Sequence, residues 1–236
     1  MQSPVRQLCY LGILAAAALV AGCSSAPDTR AGREDQLKEA EAVLQNFEKD
    51  PEMKWFRENF RSARAIIISP RMTRAGFGVG GSGGQAIAFA RDPKSGRWAG
   101  PAFYSMGGAS IGLQVGADVS EVVILALTEK AVDGLTSNSF KFGGDASIAA
   151  GPVGVGATGN PSHDMVSFAR SKGAYAGLSL EGSVISPDEK ANTAYYGKPA
   201  TPADILIRHT VGTLAEAPKT LMGGTASSGP GTPSGK

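Results

Sequence analysis

The sequence predicts an α+β fold, with N-terminal helices packed on a curved, glycine-rich, mainly antiparallel β-sheet in a single domain. Three observations carry that expectation. Residues 34–64 place apolar side chains at helical spacing, punctuated by capping residues. Residues 76–182 alternate small with apolar side chains and are broken by turn signals. The chain has 32 glycines in 236 residues, many of them inside strand-like runs. Glycine weakens a flat strand, so this density implies kinks, bulges and close backbone approach.

The elements follow in chain order. Arg6 supplies a positive charge, and residues 8–20 are an uncharged, Leu/Ala/Val-rich run ending in small residues. That order of charge, apolar run and small-residue cleavage site is the logic of a secretory signal. The run is shorter than the roughly 18 residues of a spanning helix. A plain signal cut near Ala21 and a short buried helix are the alternatives, and a cysteine directly after Ala21-Gly22 argues against both. Val20-Ala21-Gly22-Cys23 resembles the lipobox of bacterial lipoproteins. The resemblance implies removal of residues 1–22 and lipidation of Cys23, and Ser24 at the next position implies the outer membrane, facing the periplasm. Cys9 lies in the leader, so the mature chain has no disulfide framework, zinc cluster or thiol nucleophile. Its stability must come from its core. A net charge of +2 gives no reason to expect nucleic acid as a partner.

Residues 23–33, with Pro27 and Gly32, read as a tether, and the domain is expected over 34–217. A helix over 34–49 carries Leu37, Ala40, Leu44 and Phe47 on one stripe. Asp50 caps a second helix that opens on Pro51. Trp55, Phe56 and Phe60 lie on one side of it, and Lys54, Arg57, Arg61 and Arg64 largely on the other. Ile66-Ile67-Ile68 is a strand ended by Pro70. Further strands are expected at Val79, at 86–89, 110–115, 122–125, 146–149 and 178–180. Asp92-Pro93-Lys94-Ser95-Gly96 is a hairpin turn. Thr201-Pro202-Ala203-Asp204 opens a last helix, and residues 218–236 form a Gly/Ser/Pro/Thr-rich disordered tail.

Chemistry is sparse. Gly108-Ala109-Ser110-Ile111-Gly112 fits the pattern of a nucleophile elbow, but an elbow needs a helix after the serine, and here the strand pattern continues. His163 reads as a residue of a polar loop and His209 as a surface residue of the last helix. Neither has the context of a catalytic base. Gly76-Phe77-Gly78-Val79-Gly80-Gly81 and residues 154–159 fit a dinucleotide-binding pattern without the helix that would hold a pyrophosphate. No metal-ligand spacing is present. The expectation is a protein with no catalytic residue, metal or cofactor. One constellation has a clear physical use. Lys54, Arg57, Arg61, Arg64, Arg71 and Arg74 face one acid, Glu58, across 54–74, with Trp55, Phe56 and Phe60 interleaved. Such a segment lies in a membrane interface, or its aromatics pack on the sheet and its cations are a solvated face.

Several segments together resemble the SYLF domain family. They are residues 74–83, Gly96-Arg97-Trp98-Ala99-Gly100-Pro101, residues 115–125, Gly151-Pro152-Val153-Gly154 and residues 171–183. Asn192 and Tyr195-Tyr196-Gly197 close the series. The resemblance runs from about residue 37 to 207. It implies membrane-lipid binding without known catalysis, attributed in eukaryotic members to an N-terminal amphipathic helix with nearby basic residues. Here that segment is 51–64 followed by Arg71 and Arg74. Val155 stands where many relatives have a cation, which weakens the implied anionic site at that loop. The expected function is a lipid-anchored envelope protein that binds anionic head groups through these basic and aromatic residues. A scaffold for another envelope protein is the alternative, a hydrolase using Ser110 comes third, and actin is not expected as a partner.

Overall fold

The computed structural model describes residues 28–152, 162–171, 174–177 and 180–212, with the backbone alone at 77–79, 110–116 and 174–177. The leader, Cys23 and the tether as far as residue 27, Val155 with residues 154–159, and the tail lie outside the described residues.

Helix α1 spans Arg30–Lys49. Thr29 Oγ1 accepts from Gly32 N at 3.1 Å and satisfies one of the helix's open donors. Gln36, Ala40, Val43, Leu44 and Phe47 form its buried stripe. The helix starts earlier than the sequence pattern suggests, and residues 30–33 belong to the packed domain. Arg33 is only 1% exposed, held by Asp28 at 2.5 Å and Gln36 at 2.9 Å. Asp50 ends α1 and caps a single 3-10 turn, Pro51–Met53, by accepting from Glu52 N at 2.8 Å. Helix α2, Lys54–Phe60, follows and stops short of the expected residue 64.

Strands β1 (Ala65–Arg91) and β2 (Trp98–Ala126) pair antiparallel from Ala65 opposite Ala126 to Arg91 opposite Trp98. At ~3.3 Å per residue a straight ribbon of this length would be about 90 Å long, so it must fold. Register shifts at Ser69/Met72, Phe77/Val79 and Ala88/Ala90 bend it. Pro70 does not end the strand as expected. It sits in the first of these irregularities, where the ladder needs no N–H from it. The two halves of β1 come back together: Ser69 Oγ donates to Gln85 O at 2.8 Å, and Arg91 N to Arg64 O at 2.6 Å. A Cβ on Gly84 would lie 2.5 Å from Arg71 O, so only glycine permits this approach.

The remaining elements are α3 (Glu129–Leu135), β3 (Phe140–Lys141), β4 (Ile148–Ala150), β5 (Met165–Ser171), β6 (Ala174–Gly177), β7 (Val184–Pro187) and α4 (Glu189–Tyr196). The sheet order is β3-β7-β2-β5-β4, with β1 on β2 and β6 on β5. Among the described strands only the β4–β5 pair is parallel. The last helix is a single π turn, Ala203–Ile207, which Asp204 joins back to Thr201. Sequence reasoning missed β5, β7, α3 and α4, and placed a strand at 178–180, where Leu180 is in no strand and 178–179 lie outside the described residues.

Both faces of the sheet are covered. Ile66, Ile68, Ile87, Phe89, Phe103, Val123, Leu125 and Phe168 pack under α1, α2 and α4. Alternate residues, among them Ile67, Ala86, Ala88, Ala102, Val122, Ile124 and Ala126, form the other face with α3 and the π turn. Small alanines on that face let the folded ribbon close on itself. Helix α4 is pinned to β2 by Asn192, which is fully buried. Its Nδ2 donates to Phe103 O at 3.0 Å, and its Oδ1 accepts from Phe103 N at 2.9 Å. The result is the α+β domain expected, with a sheet more tightly folded than the strand list suggested.

Candidate functional site

The basic and aromatic segment 54–74 divides into parts with different fates. Trp55 is 6% exposed and Phe56 fully buried. Their ring centroids lie 5.8 and 5.5 Å from that of Phe168 in β5, and Phe56 also meets Phe47 of α1 at 5.9 Å. Phe60 is half-buried and stacks on Trp98 at 5.8 Å. Two of the three aromatics expected to bind lipid, Trp55 and Phe56, thus point into the core. Trp55 and Phe56 cover the sheet, because the face built by Phe89, Phe103 and Phe168 has to be shielded from water.

The cations stay nearer the surface. Lys54 pairs with Glu58 at 3.5 Å. Arg57 donates to the carbonyls of Glu48, Asp50 and Pro51, where a cation also suits the negative end of α1. Arg64 pairs with Glu129 at the start of α3, and Arg71 with Glu39 of α1 at 3.7 Å. Arg74 faces Asp118 across the β1–β2 ladder. Partial burial lowers its pKa, and the Asp118 charge opposes that shift. Asp118 itself accepts from Ser120 Oγ at 2.7 Å and from Ser171 Oγ. Arg61 is exposed and makes no ion pair among the described residues. The six cations are thus not one stripe: the strand carries Arg71 and Arg74 away from α2.

The fold also brings up residues that sequence reasoning did not single out. Arg91 N bonds Arg64 O, so the end of the β1–β2 ribbon lies beside the chain leaving α2. The Arg91 guanidinium carbon sits 4.9 Å from the centroid of Trp98, whose ring also stacks on Phe60. In the turn between the strands, the Asp92 carboxylate accepts from Lys94 N, Ser95 N and Ser95 Oγ at 3.0, 3.3 and 2.6 Å. The Ser95 hydroxyl and the Lys94 N–H hold its pKa below the usual carboxylate range. Lys94 and Arg97 are exposed and make no ion pair among the described residues. The available signal was three cations within seven residues around a turn.

Nothing catalytic is assembled on the described residues. Ser110 lies inside β2 opposite Gly80, and the strand runs on to Ala126, so the strand–turn–helix of an elbow is not formed. Gly76 to Gly81 likewise sit within β1 with no helix after them. His163 contacts Ser162 at 3.4 Å, and His209 follows the π turn with Nε2 3.1 Å from Leu206 O. No group of three His, Cys, Asp or Glu among the described residues is placed to hold a metal. No helix among them is long and apolar enough to cross a membrane.

Residues 107–223 match the family model described as Ysc84, Las17-binding protein actin regulator. The chain is 32% identical over 142 residues to human SH3 domain-containing YSC84-like protein 1, covering 58% of this chain and 41% of that protein. It is 35% identical over 141 residues to Protein YSC84 of Saccharomyces cerevisiae, covering 56% and 30%. It is 34% identical over 140 residues to LAS seventeen-binding protein 3 of the same yeast, again covering 56% and 30%. The chain thus spans 30–41% of the length of these relatives. The family description and the name LAS seventeen-binding protein 3 describe binding proteins, and the family's description as an actin regulator lends no support to the expected exclusion of actin. The ordered motifs from Gly96 to Gly197 and the match over 107–223 lead to one conclusion: this chain carries a Ysc84/SYLF family domain.

Proposed function

We propose that this chain is a lipid-anchored protein of the cell envelope, held through Cys23 at the periplasmic side of the outer membrane, whose SYLF domain binds anionic membrane lipid without catalysis. The observation that supports this most is positional. Asp28, already tied to the buried Arg33, follows Cys23 by five positions. Five extended residues reach about 17 Å. Acylation at Cys23 would hold the start of the folded domain within that reach of the bilayer. Two measurements test the reading. A fatty-acid analogue should label the wild-type chain in cells and not Cys23→Ser. Full-length Cys23→Ser should co-sediment with phosphatidylglycerol vesicles in preference to phosphatidylcholine vesicles, and high salt should remove the preference. Equal labelling of the two chains removes the anchor, and absence of any anionic preference removes the lipid.

A second reading, that the domain binds another protein, is favoured by the yeast relatives named for binding Las17. Its mark would be salt-independent retention in the envelope with no anionic-lipid preference.

A further inference from the structure

We infer that the end of the β1–β2 ribbon is the surface by which the domain docks on an anionic bilayer, with Arg61, Arg64, Arg91, Lys94 and Arg97 meeting the head groups. The inference rests on the anionic-lipid reading and names the surface responsible. Two elements far apart in sequence meet there. The hydrogen bond from Arg91 N to Arg64 O and the Phe60–Trp98 stack join the ribbon end to the chain leaving α2. Five cations stand there against two carboxylates, Asp92 and Glu129. Asp92 is engaged by the donors of its own turn, and Glu129 by Arg64. Lys94 and Arg97 make no ion pair among the described residues, and the five cations outnumber the two carboxylates, so the ribbon end keeps a net positive charge. Trp98, 5% exposed, is held by Phe60 and lies under the Arg91 guanidinium, so the cations sit on a rigid base. A preorganised array loses little conformational freedom when it meets a charged surface. The large exposed apolar side chains among the described residues are Val119 and Ile207, neither of them in the turn or in α2. Docking here is electrostatic, at head-group level, and does not involve insertion into the acyl region.

The test uses the full-length chain carrying Cys23→Ser as background, with vesicles of phosphatidylcholine alone or containing phosphatidylglycerol, at low and high salt. Lys94→Gln with Arg97→Gln should melt as the parent does, since neither side chain is buried. This pair should lower the preference for phosphatidylglycerol roughly thirty-fold, the combined effect of two surface charges. Lys141→Gln with Lys190→Gln removes the same net charge from exposed positions on β3 and α4 and should leave the preference unchanged. If the turn variant keeps the parent's preference, or the control pair loses as much, the ribbon end is not the docking surface, although anionic-lipid binding still stands. If the parent itself shows no preference, both are overturned.

Discussion

Trp55→Ala separates the two physical roles open to the aromatics of α2. The indole is 6% exposed and lies against Phe168 at 5.8 Å, beside Phe56, which meets the same ring at 5.5 Å. Truncation to alanine would open a cavity between α2 and β5 that the flanking Phe56 cannot close without leaving its own contacts. Large aromatic truncations of this kind cost ~3–5 kcal/mol, a large share of a typical total of ~5–15 kcal/mol. For a domain of this size each kcal/mol moves the melting temperature by ~2–4 °C, so the expected fall is about 10 °C. The assay is thermal melting of full-length Cys23→Ser with and without Trp55→Ala, beside vesicle co-sedimentation below both transitions. The anionic preference should survive, because the cations are elsewhere. A melting temperature within a degree or two of the parent, together with lost vesicle binding, would refute the packing argument and return Trp55 to the membrane interface.

Two further outcomes follow from buried polar contacts. Asn192→Leu keeps the branched side-chain shape but leaves the N–H and C=O of Phe103 without their partners. The expected loss is about 2–4 kcal/mol, read as a lower urea midpoint at unchanged slope. Asp164 accepts from Ser147 N, Thr128 Oγ1 and Ser147 Oγ, and the Ser147 N–H, followed by the Thr128 hydroxyl, lowers its pKa. A folded-state pKa below the unfolded value of ~3.9 means that its contribution is complete above that pH and is lost as pH falls through the folded value. Acidification below about pH 4 should therefore lower the wild-type melting temperature, and Asp164→Asn should show a shallower fall. It should not flatten fully, since Asp92 and Asp204 are shifted in the same direction and remain.

Elements with a local physical signature were legible in the sequence. The α1 stripe, the Asp50-Pro51 restart, Ile66 to Ile68, Ala86 to Phe89 and the Asp92 turn all stand where the pattern puts them. The continuity of β1 and β2 was not legible. Between Ser69 and Ala86 the chain is rich in glycine, whose missing side chains leave no period to read, and the pairing that makes it strand comes from residues 104–122. Helices α3 and α4, of seven and eight residues, are too short to show a stripe, although Thr128 and Asp188 are ordinary caps for them. For the site, sequence proximity misled. Six cations within 54–74 suggested one face, yet their carboxylate partners Glu39, Asp118 and Glu129 come from other elements. Lys94 read as a turn residue and Arg97 as part of a family segment, and only the fold brings both beside α2.

The motifs that carry the family resemblance serve the fold more than the binding surface. Gly100, in the Gly-Arg-Trp-Ala-Gly-Pro segment, has φ +141°, and a Cβ there would lie 2.6 Å from the Phe89 ring. Asn192 is spent on the backbone of Phe103, and the Tyr196 hydroxyl on Pro101 O at 2.8 Å. These are positions where one residue type is dictated by conformation or by a buried donor and acceptor. The exposed cations Arg61 and Lys94 make no ion pair among the described residues and lie outside the segments that carry the resemblance. Substitution there leaves the folded ribbon intact, so selection can retarget that end of the domain without rebuilding its core. A shared scaffold with a replaceable charged end accommodates both relatives named for a protein partner and a chain proposed to work at a lipid surface.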